Sequence, residues 1–127
     1  MRKLLLSLVL ATALAIAPAT AASAAPTEVT LTIGPKAQFV SPSSLLVPVT
    51  VTCPATFVSA STFVQVSQSA TGGTGFGFTN VPCTGNPETR VIVVTGGPFT
   101  LGQAVASGSA VAGGQFDQDI RRIQIVL

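Results

Sequence analysis

Histidine, tryptophan and tyrosine are all absent from this 127-residue chain, and each absence closes off a chemistry. Without histidine no side chain titrates near neutrality by default, so the usual general base and the commonest metal ligand are missing. Without tryptophan and tyrosine, the aromatic platforms that carry a polar handle are missing, which weakens sugar binding and strong protein hot spots alike. Charged residues make up 8% of the chain, too few for long solvated helices laced with Glu–Lys pairs. There are two cysteines, and two thiols with no histidine fall short of a zinc site.

What is present points outward from the cell and to β-structure. Arg2 and Lys3 precede an apolar run, Leu4 to Ala17, which Pro18 ends and small residues follow. This is the layout of a cleavable export signal, with Ala22-Ser23-Ala24 as its small-residue site. Residues 1–25 are therefore expected to be the signal peptide, cut after Ala24 or Ala25, and residues 26–127 the domain. The apolar run is short for a membrane span, so stable membrane insertion is not expected. The destination is the extracellular space, free or associated with the cell wall.

Removing the leader removes the net charge. Lys36, Arg90, Arg121 and Arg122 then balance Glu28, Glu88, Asp117 and Asp119. A neutral domain offers no electrostatic footprint for nucleic acid or anionic lipid. In an oxidising compartment the even pair Cys53 and Cys83 is expected to form one disulfide.

Val, Thr, Ile and Phe are frequent, and they suit a pleated, half-buried surface. Glu28 to Ile33 alternates, with Val29, Leu31 and Ile33 on one face. Lys36 to Ser41 continues the same edge. Leu45 to Cys53 is the clearest strand, with Leu45, Val47, Val49, Val51 and Cys53 inward; Pro48 cannot donate to a ladder, so one side of it is expected to be open. Thr62, Val64 and Val66 form a further inward set. Thr89 to Thr95, Gln103 to Val111 and Gln115 to Leu127 supply the remaining strands, the last with Ile123, Ile125 and Leu127 on one face. About seven short strands separated by Gly/Pro turns argue for an antiparallel sandwich.

The strand ending in Cys53-Pro54, the Phe63-Val64-Gln65-Val66-Ser67-Gln68 strand, Cys83-Thr84-Gly85 and Gly102-Gln103-Ala104 together resemble small secreted immunoglobulin-like domains of actinobacteria. The resemblance implies an all-β, immunoglobulin-like antiparallel β-sandwich of about seven strands with one disulfide. It brings no site residue with it, and the chain lacks the tryptophan and tyrosine of true immunoglobulin domains.

Candidate sites are few. Asp117 and Asp119 share a strand face and are two of the oxygens a calcium ion needs, but its shell takes six to eight; a solvated strand end balancing Arg121 and Arg122 is the expected role. The run Gly72 to Gly77 lacks the Lys-Ser/Thr ending and the helix of a phosphate cradle. It reads as a mobile loop or a glycine-bearing strand. Phe76 and Phe78, two apart, are expected in the core, since buried aromatics are the commoner case; exposed, they would anchor a contact loop. No catalytic residue, metal ligand or cofactor site is expected. The expected role is a non-enzymatic extracellular binding or cell-surface module, with an extracellular protein or envelope component as partner. A secreted inhibitor, or a coat component self-associating through an open edge at the Pro48 strand or Leu127, is the second expectation.

Overall fold

The computed structural model describes residues 26–127; the expected signal peptide lies outside them. Eight strands follow in order: β1 (Thr30–Ile33), β2 (Lys36–Ser41), β3 (Ser44–Thr52), β4 (Ser59–Gln68), β5 (Gly73–Pro82), β6 (Pro87–Gly97), β7 (Gly102–Ala112) and β8 (Gln115–Val126). No helix among the described residues is long and apolar enough to cross a membrane.

The strands do not form an open immunoglobulin-type sandwich. They close into a seven-stranded β-barrel, running β3-β2-β8-β7-β4-β5-β6 and back to β3. Two seams make the closure. At one, β2 runs parallel to β8, with Lys36, Ala37 and Gln38 opposite Gln124, Ile125 and Val126. At the other, β5 pairs with β6 over Thr74–Gly97, Gly75–Gly96 and Phe76–Thr95.

The second seam depends on glycine. Alternation along Gly73-Thr74-Gly75-Phe76-Gly77-Phe78 turns the glycines inward and Thr74, Phe76 and Phe78 outward. The bare inner face of β5 then lies directly on the backbone of β6. A Cβ at Gly75 would come within 2.5 Å of the Thr95 carbonyl oxygen, and Cβ atoms at Gly73 and Gly77 would strike the carbonyls of Pro98 and Val93. Residues 73–78 are thus strand, not mobile loop. The expectation that Phe76 and Phe78 are core fails for the same reason: the inner positions beside them are filled by backbone, and both rings are exposed.

β1 and β2 are one strand broken at Gly34-Pro35, both antiparallel to β3. Pro48 lies opposite the break. Its missing N–H falls where the ladder is already interrupted, and its carbonyl accepts the Gly34 N–H at 2.8 Å. Nor is β3 an edge, as Pro48 suggested: β6 pairs along its whole length on the other side. Closure leaves no open edge at Pro48 for self-association.

The core is filled mainly by aliphatic side chains of alternate residues. Leu45, Val47, Val49 and Val51 of β3 face Val64 and Val66 of β4, Ile92 and Val94 of β6, and Ile123 and Ile125 of β8. The inner face of β7 is small throughout, Ala104, Ala106, Gly108, Ala110 and Ala112. That makes room for β1: a Cβ at Gly108 would stand 3.3 Å from Ile33 Cδ1. Cys53 and Cys83 are bonded, with Cα atoms 4.7 Å apart, tying the end of β3 to the end of β5 around the β4–β5 hairpin.

Replacing Gly75 with alanine should destabilise the fold by about 2–3 kcal/mol, because an added methyl meets backbone that cannot turn aside. Thr74→Ala, one residue away on the outer face, should stay within about 0.5 kcal/mol. Urea unfolding of both variants measures the difference; equal, small losses would refute the close approach. Removing the bridge as the Cys53→Ala/Cys83→Ala pair should cost about 3–4 kcal/mol for a loop of this size, read in the same titration.

Candidate binding face

The four strands β5, β4, β7 and β8 form one wall of the barrel, and their registers place the outward side chains on a grid. Reading across the strands in that order, Asn80, Ser61, Val111 and Phe116 form the first row. Phe78, Phe63, Ser109 and Gln118 form the second. Phe76, Gln65, Ser107 and Ile120 form the third, and Thr74, Ser67, Val105 and Arg122 the fourth.

Seven of these sixteen positions are large and apolar, and Arg122, at one corner, is the single charge. Phe76 and Phe78 are 56% and 61% exposed, and Phe116 and Ile120 are 64% and 69% exposed. Phe63 stacks diagonally on Phe76 with ring centroids 5.8 Å apart, a spacing at which tilted rings attract. The three rings make a ridge along β4 and β5. Beyond it the small side chains of Ser107 and Ser109 floor a trough of about 240 Å³, walled by Phe63 on one side and Ile120 on the other. Single exposed apolar residues are ordinary on a protein surface; a contiguous set of this size is not.

The structure therefore keeps Phe76 and Phe78 together, on a strand and not on a loop, and adds Phe63, Phe116 and Ile120, which the sequence reading missed. The signal was present but inverted. In β8 the positions 115, 117, 119 and 121 carry Gln, Asp, Asp and Arg, while 116 and 120 carry Phe and Ile. Hydrophobicity alone would turn Phe116 and Ile120 inward. Ile123 and Ile125 share the parity of the charged set and are buried, so the phase of the pattern flips halfway along the strand.

The inward polar residues have a structural task. β1 pairs with β3 on one edge, and its other edge faces β8. There the Leu31 N–H donates to Asp117 Oδ2 and the Ile33 N–H to Asp119 Oδ2, each at 2.8 Å, and the Val29 N–H donates to Gln115 Oε1 at 3.2 Å. Three side chains thus replace a strand in satisfying buried backbone donors. The two carboxylates are not a solvated strand end. Asp119 also lies 3.4 Å from Arg121 Nε. Among the described residues no cluster of three or more Asp, Glu, Cys or His is assembled.

A second buried polar residue is also structural. Gln68 is buried, and its amide donates to the Thr100 and Gln103 carbonyls while its oxygen accepts the Thr100 N–H at 2.9 Å. It pins the end of β4 to the connection between β6 and β7. On the opposite wall a hollow of about 410 Å³ is lined by Leu46, Pro48, Val91, Val126 and Leu127 beside Lys36; it is a second apolar surface.

No protein-family model matches this chain, and no curated protein is detectably similar to it.

Asp119→Ala should cost about 1–3 kcal/mol, the penalty for leaving the buried Ile33 N–H without an acceptor. Asp119→Asn, which keeps an oxygen in place, should lose less. Hydrogen exchange should speed up at the Ile33 amide in Asp119→Ala; unchanged exchange there would show that the side-chain ladder does not hold β1.

Proposed function

We propose that this protein is an exported, non-enzymatic binding module that acts outside the cell or at the cell surface, and that its contact surface is the outer wall of β5, β4, β7 and β8. One observation carries the reading: the Phe63, Phe76, Phe78, Phe116 and Ile120 side chains stand in water on a barrel whose interior is already filled. Exposed apolar patches of this extent mark interaction sites in soluble proteins. The wall is built on paired strands, so its side chains are held in place before contact and little ordering entropy is lost on binding.

Export is supported by the charged and apolar layout of residues 1–25. The Cys53–Cys83 disulfide is compatible with an extracellular location. Absence of histidine and a near-absence of charge on the wall support contact by shape and apolar area over catalysis.

The test is fractionation of a producing culture into medium, wall and membrane, for the native protein and for Phe76→Ser/Phe78→Ser. The native protein should appear processed and oxidised, with a share retained by the wall fraction. The double variant should melt within about 2 °C of the native protein, since both rings lie outside the core, and should shift to the medium. Equal retention of both proteins would remove the face from the reading, and an unprocessed mass in the membrane fraction would remove export.

A further inference from the structure

We propose that the occupant of this wall is a second copy of the same chain, packed face to face about a two-fold axis that runs along the strands. The proposal rests on the reading of the wall as a contact surface and adds a partner for it: the second copy competes with cell-wall material for the same rings and takes them as protein concentration rises.

Area comes first. The seven large apolar side chains of the wall present about 700 Å² to water, taking a whole phenylalanine as roughly 200 Å². Two such walls meeting would remove about 1,400 Å², inside the range of specific, stable interfaces.

Charge comes second. The four cations and four carboxylates of residues 26–127 cancel, so two copies approach without net repulsion, a condition that favours self-association. On the wall itself only Arg122 is charged.

Shape decides the axis. A two-fold axis along the strands lays β5 over β8 of the other copy and β4 over β7. Phe63 then faces Ser109, so the Phe63 ring of each copy enters the serine-floored trough of the other, while Phe76 packs on Ile120, the far wall of that trough. Phe78 faces Gln118, and each Arg122 faces Thr74, away from its own counterpart. An axis across the strands would set Phe78 on Phe76, ridge against ridge, and Ser109 on Ser107, trough against trough. Sheets packed face to face keep their strands within about 30° of each other, which both arrangements provide, so the seating of Phe63 over Ser109 selects the first. The contact is isologous and closes as a dimer.

Sedimentation velocity of the oxidised protein between 1 and 500 μM tests this. The native protein should pass from monomer to dimer across that range. Ile120→Arg places two cations against the facing ridges and should weaken dimerisation at least tenfold, with the melting temperature at 1 μM unchanged. Val91→Arg, on the opposite wall, should leave dimerisation as it is. A native protein that stays monomeric at 500 μM overturns the proposal, as does a dimer broken by Val91→Arg and not by Ile120→Arg. Failure of the contact reading is distinguishable: a monomeric protein whose wall retention still depends on Phe76 and Phe78 keeps the surface and loses only the self-partner.

Discussion

The close approach of β5 to β6, backbone on backbone, sets most of the rest. Three glycines at alternate positions leave the first half of β5 with no inward side chains, and the carbonyls of Val93, Thr95 and Pro98 occupy the space. Because the strand pleat sends successive residues to opposite faces, a glycine-only inner face forces the intervening Thr74, Phe76 and Phe78 outward. The same constraint closes the barrel and builds the aromatic ridge. Closure and surface are two results of one alternating pattern.

A second exchange takes place across the barrel, where β8 meets β1. β8 spends its first inward positions on Gln115, Asp117 and Asp119, which serve the N–H groups of β1, and its outward positions on Phe116 and Ile120. Side-chain acceptors let a four-residue strand sit against β8 without joining its ladder. The small inner face of β7 gives the Ile33 side chain somewhere to go. The charge inside is required by β1, and the apolar groups outside take the parity that this leaves.

Much of this was legible in the sequence, and the failures share a cause. The alternation of Leu45 to Cys53 marks β3 and its inward set, the apolar run Thr89 to Thr95 and the stretch Gln103 to Val111 fall within β6 and β7, and the inward set of β4 and the pairing of the two cysteines also stand. Those features depend on one strand and the core it faces. The closed barrel does not: a Gly-rich run is equally consistent with a flexible loop, and only the position of β6 shows that its bareness is a contact surface. Pro48 reads as an edge marker because its missing N–H is visible in sequence while the break at Gly34-Pro35 opposite it is not. Phe116 and Ile120 were hidden because the polar side chains of β8 face inward to β1, a partner more than 80 residues away. Local pattern reports what one strand does alone; each error arose where a second strand decided.

The parallel seam between β2 and β8 carries a consequence for biosynthesis. It joins residues 36–38 to residues 124–126, so the first full strand of the barrel waits for the last. Until β8 has emerged, a nascent chain that has reached β7 has the material for the pairings among β1 to β7 but for neither join of β8, to β7 or to β2, and the loop-closure entropy of the β2–β8 join is met only at the end. A polypeptide delivered through a narrow channel from its amino terminus would stay open, and so threadable, for nearly its whole transit, and would lock once β8 arrived.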